Sequence, residues 1–260
     1  DPKRCCFYNQ SDIPEIFELN WILNCFTNKG LLNRGHAYKA LVDENNSQNR
    51  DPDKNINNGH FSYPVLMAAD ILAFDCQIVP VGQDQKQHVE MARDIAQNLN
   101  HHFPNTLIIP EPKIEAHVKT IPGLDGRKMS KNYGNTIPLF MEKSAMRKLV
   151  MKIKTDSTPL EDPKDPTTCP VFLLYQCIAS ESDCNIMKES YLNGGQGYGH
   201  YKTELFTALD THLSPLKAKY DELKSDPAQV EKIMIEGAEK AREKAKETLK
   251  RVKSQLGFTI

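Results

Sequence analysis

An α/β fold is predicted for this chain, a doubly wound parallel sheet followed by an all-helical domain. From residue 4 to about 135, short apolar runs alternate with segments of helical period. That is the pattern of parallel strands with helices laid over both faces of the sheet. After about residue 138 every periodic segment steps at helical spacing and none reads as a strand. The boundary is therefore placed at 137/138, giving domains 1–137 and 138–260, and 260 residues suffice for two medium cores.

The elements follow in order. "RCCFYNQ" (4–10) reads as a strand, and "SDIPEIFELNWILNCFT" (11–27) as a helix with Asp12 as N-cap, Glu15 three residues on and Pro14 in the first turn. Residues 43–60 are polar and Asn-rich, the composition of a loop or weak helix end. "YPVLMAADILAF" (63–74) is a short apolar helix with Pro64 in its first turn, and "CQIVPVG" (76–82) a buried strand. "DQKQHVEMARDIAQNLN" (84–100) is an amphipathic helix with His88, Ala92, Ile95 and Leu99 on its apolar stripe. "NTLIIPEP" (105–112) is the next strand; the three strands should centre on 4–8, 77–82 and 106–110 and pair in parallel. Beyond it, "PLFMEKSAMRKLVMKIKT", "CPVFLLYQCIA", "GHYKTELFTALDTHL" and 228–256 are helical, and "PLEDPKDPTTCP" (159–170) is a turn segment. The glycine-rich "NGGQGYGH" (193–200) follows no strand and is not a phosphate cradle. Residues 240–253 hold seven Lys or Arg against two Glu. That face is either a solvated, ion-paired one or one turned to RNA.

Composition narrows the function classes. Lys plus Arg (33) nearly cancels Asp plus Glu (34), so any surface for an acidic partner is local. No apolar run approaches the roughly 20 residues of a membrane span, and no signal peptide opens the chain. Seven cysteines, an odd number with no C-x-x-C, fit reduced thiols of a cytosolic protein better than a disulfide frame or zinc site, and no metal ligand set is expected. The chain opens at Asp1 rather than Met, directly before a strand-like run, as though a preceding segment were missing.

Three constellations carry chemistry. On a helix, Tyr63, Met67 and Asp70 share one face. Asp70 is the anomaly there, a carboxylate in an apolar helix that must either pair with an internal Arg or Lys or wait for a ligand's donor. In "VPVGQDQKQH" (79–88) an apolar strand ends at Gly82, and Gln83, Asp84 and Gln85 open the next helix. Open parallel sheets bind ligands at that position, although Asp84 could equally be an N-cap. In "GLDGRKMSKNYGN" (123–135), Lys128 and Lys131 flank Met129 and Ser130 on a glycine-bounded loop. Two lysines so placed are either plain solvated surface or a clamp that stabilises a leaving pyrophosphate.

Together these stretches resemble a known family. "KMSKN" is similar to the K-M-S-K-S signature of class I aminoacyl-tRNA synthetases, and with "YPVLMAADIL" and "VPVGQDQKQHVEMARDIA" it resembles the tryptophanyl-tRNA synthetases of the bacterial type. The likeness continues through "SDIPE", "GLDGRKMSK", "NTIPLF", "TDS" and "GAEKAREKA", nearly the whole chain.

The resemblance implies a Rossmann-type catalytic domain, N-terminally incomplete, a helical tRNA-anticodon-binding domain, and a cytoplasmic homodimer. It implies L-tryptophan, ATP with Mg²⁺, and tRNA(Trp) as substrates and partners. Asp70 would accept the indole N–H, Met67, Val79 and Val81 would wall the ring, and Tyr63 and Gln85 would hold the ammonium and carboxylate end. Gly82, Gln83 and Asp84 would lie against the ATP ribose and Val118 against adenine. Lys128 and Lys131 would grip the phosphates, with Met129 and Ser130 shaping the loop. Two departures are visible: Asn132 stands where the signature ends in Ser, and the family's H-x-G-H is absent, since "RGHAY" and "NGH" do not match it. The tyrosyl enzyme and a non-catalytic RNA-binding or regulatory relative are the alternative readings.

Overall fold

The computed structural model describes residues 4–114 and 121–258. Helix α1 (Pro14–Cys25) starts with Pro14 where a helix needs no backbone donor, and Ile13 rather than Asp12 is its N-cap. Asp12 instead closes a 3₁₀ turn, Gln10–Asp12, so the expected capping box is not formed. Ile16, Leu19, Ile22 and Leu23 bury one face of α1. A short helix α2 (Lys29–Leu32) and α3 (His36–Ser47) follow, so part of the Asn-rich stretch is helical.

Helix α4 (Asn58–Leu72) begins five residues before the apolar run. The Asn57 side chain accepts from the His60 backbone N–H at 2.9 Å and caps it. Pro64 therefore lies inside α4 and not in its first turn. Residues 58–62, with Phe61 their one large apolar side chain, conceal that first turn from any reading of apolar period.

Strand β1 (Ile78–Pro80) pairs in parallel with β2 (Glu111–Lys113), Val79 opposite Pro112, and α5 (Lys86–His102) crosses between them. The expected strand at 106–110 is not formed. The backbone N–H groups of Thr106 and Leu107 go to the Asn100 side chain (3.1 and 2.9 Å), and Arg251 takes the Thr106 carbonyl at 2.8 Å. Pairing begins only at Glu111. Nor do residues 4–8 form a strand: the Tyr8 ring packs on Phe74, and the Phe7 backbone presses on Gly237 so closely that a Cβ there would lie 2.1 Å from the Phe7 carbonyl oxygen. The described sheet has two strands, both parallel.

Two compact units divide the chain elsewhere than at 137/138: one is Asp1–His117 with Ala228–Ile260, the other Val118–Pro227. The first gathers α1, α4, α5 and the last helix, α10 (Pro227–Gln255), around Ile13, Leu19, Val65, Leu72, Val89, Ile95 and Leu99. Helix α10 belongs here because its stripe Ala238, Ala241, Ala245, Leu249 and Val252 is buried in that core. Its basic face is tied down as well: Arg242 to Glu15 (3.0 Å), Lys244 and Arg251 to Asp75 (2.8 and 2.5 Å), and Lys253 to Glu18 (2.7 Å). The ion-paired reading of residues 240–253 therefore holds for four of the seven cations.

In the second unit α6 (Lys143–Met151), α7 (Pro170–Tyr175), α8 (Glu181–Asn193) and α9 (Tyr198–Ser225) enclose Val150, Ile153, Phe172, Tyr191, Tyr201 and Leu205. The proline-rich turn segment winds around buried Lys164, whose Nζ donates to the carbonyls of Pro159, Leu160 and Asp162. The glycine-rich loop rests on that turn, with the Gly195 N–H donating to the Leu160 carbonyl at 3.1 Å. All seven cysteines are free thiols. No helix of the described residues is long and apolar enough to cross a membrane.

Candidate active site and lysine loop

Asp70 stands half-buried on α4, one helical face with Tyr63 and Met67, as the spacing predicts. Among the described residues no Lys or Arg pairs with it. Its partner is a neutral amide: Gln10 Nε2 donates to both carboxylate oxygens, at 2.7 and 2.8 Å. Burial raises the Asp70 pKa and the Gln10 bond opposes the rise. Tyr8 feels the same carboxylate, its phenol pushed up by burial and then by the Asp70 charge. Met67, Val79 and Val81 are partly buried side chains packed on the core of the first unit.

The strand end departs from the expectation: β1 stops at Pro80, two residues before Gly82, and its residues are exposed or half-buried rather than buried. Gly82, extended at φ −70°, precedes a 3₁₀ turn of Gln83, Asp84 and Gln85, and α5 takes Gln85 rather than Asp84 as its N-cap. Asp84 is thus not a helix cap. A Cβ on Gly82 would meet the Asp84 carboxylate at 2.7 Å, so only glycine fits the turn unchanged. Gln85 Nε2 donates to Asp84 Oδ2 at 3.1 Å, and its Oε1 lies 3.0 Å from Nδ1 of His88. The other ring nitrogen of His88 meets the Tyr63 hydroxyl, and the two rings sit edge to face. His88 is a buried polar member of the α5 stripe, read in the sequence as part of an apolar face.

The lysine loop folds within the second unit. An antiparallel bridge joins Pro122 to Lys128, and the Met129 N–H donates to the Ile121 carbonyl at 2.8 Å. Buried Asn135 holds the loop from inside: its Oδ1 accepts from the Ser130 N–H (2.8 Å), and its Nδ2 donates to Asp125 (2.7 Å) and to the Lys128 carbonyl (3.1 Å). Gly123 has no room for a Cβ beside that amide, which would stand 2.2 Å away. The Asn135 bond, with Arg127, holds the Asp125 carboxyl down to about 2. Ser130 caps the turn Lys131–Tyr133 through its Oγ, and Gly134 ends it at φ +62°. Lys128 and Lys131 are exposed, and their ammonium groups form no ion pair among the described residues. Val118 lies outside the described residues. Asn135→Ala is expected to destabilise the second unit by about 1–3 kcal/mol, because it strands the Ser130 N–H and the Lys128 carbonyl. Denaturant unfolding and the rate of tryptic cleavage at Lys128 and Lys131 check this, and unchanged values of both would refute it.

Gln10, Tyr8, His88 and Asn135 escaped the sequence reading. Asn135 left one signal, a polar residue directly after a turn-ending glycine. Gln10 left none, because its partner is sixty positions away.

The family model for tRNA synthetases class I (W and Y) matches residues 1–255. The chain belongs to this family. It is 46% identical over 260 residues to the tryptophan–tRNA ligase of Xylella fastidiosa, covering 99% of this chain and 60% of that one. The tryptophan–tRNA ligase of Pseudomonas putida is 49% identical over 261 residues, with 99% and 58% covered. This chain thus spans about 60% of the length of these curated relatives. Among solved structures it is similar to the tryptophanyl-tRNA synthetase of Campylobacter jejuni complexed with ADP and tryptophan. That match has a TM-score of 0.82 at 41% identity and covers 99% of this chain and 78% of that one. The architecture is that of a class I synthetase, helices with a small parallel sheet.

Proposed function

We propose that the chain carries the tryptophan-recognition site and the lysine loop of a tryptophan–tRNA ligase. The observation that carries the reading is Asp70, a half-buried carboxylate with no cationic partner among the described residues, on a helix face with Tyr63 and Met67. The single Gln10 amide leaves lone pairs on both oxygens of that carboxylate, and a further specific donor such as the indole N–H would offset its desolvation.

In this reading Met67, Val79 and Val81 wall the ring, and Tyr63 and Gln85 hold the ammonium and carboxylate end. Gly82, Gln83 and Asp84 lie against the ATP ribose, and Val118 offers backbone to adenine. A carboxylate oxygen of tryptophan attacks the α-phosphorus of ATP, and the bond from that phosphorus to the β-bridging oxygen breaks. Pyrophosphate departs with the electron pair, its growing charge met by Lys128 and Lys131 on the loop that Met129 and Ser130 shape. A terminal ribose hydroxyl of tRNA(Trp) then attacks the acyl carbon of the adenylate, the bond from that carbon to the phosphate oxygen breaks, and AMP departs with the electron pair while the hydroxyl proton is released.

Mg²⁺ enters with the ATP substrate and shields its phosphates. Rossmann-type topology is supported by the parallel β1–α5–β2 unit. The helical second unit, with Arg147, Lys148 and Lys152 lining a groove on α6, suits a tRNA backbone. Exposed Trp21 and Phe17 on α1 supply apolar surface for a homodimer. A cytoplasmic location accords with this role.

Tryptophan-dependent exchange of labelled pyrophosphate into ATP tests the proposal, measured on a chain extended to carry the family's H-x-G-H. Exchange with L-tryptophan and none with L-tyrosine is expected. Binding of RNA without exchange would favour the non-catalytic relative, and exchange with tyrosine the tyrosyl enzyme.

A further inference from the structure

His88 joins two residues assigned to the substrate's charged end. The hydrogen-bond directions along that chain are dictated from one end. An ionised Asp84 can only accept, so the amide of Gln85 turns its Nε2 toward it and presents Oε1 to His88. Oε1 can also only accept, so the proton of the neutral imidazole sits on Nδ1. Nε2 is then bare and must accept from the Tyr63 hydroxyl. With its own proton committed inward, the Tyr63 oxygen shows outward only lone pairs, which suit a cation and reject a donor-hungry group.

We propose that His88 is a positioning residue that fixes the Tyr63 hydroxyl as an acceptor, and so makes this end of the site a receptor for the ammonium group of the amino acid. The inference rests on the assignment of Tyr63 and Gln85 to the substrate's charged end. It adds that their polarity is set by a histidine that must be neutral. Protonation puts a proton on Nε2, which then donates to the Tyr63 oxygen. The hydroxyl proton turns outward, and a positive charge is placed behind the ammonium site. The titratable groups facing His88 are Tyr63 on α4, His36 at the start of α3 and Asp84 in the preceding turn. Burial is the largest influence and lowers the His88 pKa, His36 acts in the same direction, and Asp84 opposes them. The imidazole is therefore neutral at pH 7, and ammonium binding fails only as the pH falls below the ordinary histidine range.

The test compares L-tryptophan with 3-methylindole, which carries the ring and neither charged group, by titration calorimetry from about pH 8 to about pH 5. His88→Phe and His88→Asn are each expected to weaken L-tryptophan roughly tenfold or more, and to leave 3-methylindole within about twofold. The parent should lose tryptophan affinity on acidification before it loses 3-methylindole, and that earlier loss should vanish in His88→Phe. Since 3-methylindole reads Asp70 alone, its retention also shows that the variants fold. Equal weakening of both ligands would mean a merely structural histidine and overturn the inference. So would unchanged tryptophan affinity in the His88 variants while Tyr63→Phe costs tenfold; that result leaves the functional assignment standing. Unchanged affinity in Tyr63→Phe and Gln85→Ala as well would remove the assignment, and the inference with it.

Discussion

Replacing Lys128 or Lys131 by alanine is expected to slow adenylate formation by roughly 30- to 1,000-fold, the equivalent of about 2–4 kcal/mol per lost electrostatic contact. Tryptophan affinity should stay within about twofold, because in the proposed mechanism the lysines meet charge that accumulates only as pyrophosphate leaves. Their surroundings favour that outcome. Both ammonium groups are exposed and outside any ion pair among the described residues, while the backbone beneath them is fixed by the amide of Asn135. A loop held rigid with its cations unneutralised is preorganised for an anion. Single-turnover adenylate formation at saturating ATP and tryptophan, in a chain extended to carry the H-x-G-H signature, reads the effect. Rates within twofold of the parent for both variants would mean that the lysines are only solvated surface.

Asp70→Ala is expected to weaken tryptophan binding by about 1.5–3 kcal/mol, the worth of a hydrogen bond to a charged group, and to leave the fold intact. The structure separates the two effects. Burial works against the ionised carboxylate, and Gln10 is the side chain bonded to it, so removing the carboxylate takes little from stability. The sign with pH follows from the raised pKa. The ionised carboxylate is the acceptor, so affinity falls on acidification through a midpoint shifted upward from the ordinary aspartate range. Loss of folding with unchanged tryptophan affinity would show instead that Asp70 serves the Gln10 contact.

How much of this was legible in the sequence depended on whether the physics was local. The helices of the second unit and the stripe of α10 could be read because burial repeats every three or four residues, and the parallel pairing of β1 with β2 followed from the helix between them. Where a distant side chain takes over the backbone, period says nothing. Asn100 and Arg251 claim residues 106 and 107 and push the strand to Glu111, and Gly237 draws the Phe7 backbone away from any sheet. The same holds for the division into units, since α10 comes last in the chain but carries the counter-ions of Glu15, Glu18 and Asp75.

At the site, the anomalous residues were visible as anomalies: a carboxylate in an apolar helix, and two lysines between glycines. Their partners were not. Nothing in the composition around Gln10 or His88 says which atoms they meet, because those contacts exist only once α4, α5 and the opening segment have packed. The structure also altered the terms of one question. Asp70 neither pairs with an Arg or Lys nor stands alone; a neutral amide holds its carboxylate oriented.

The central claim is that Asp70 reads the indole N–H. Its most direct test is the affinity ratio of L-tryptophan to β-(3-benzothienyl)-L-alanine, in which sulfur replaces that N–H at nearly the same size. The ratio is to be measured on the parent and on Asp70→Ala by competition at pH 7. The parent is predicted to prefer tryptophan by roughly tenfold or more, and Asp70→Ala to bind the two within about twofold of each other. An equal ratio in the two proteins would contradict the account, because the N–H would then be recognised elsewhere or not at all.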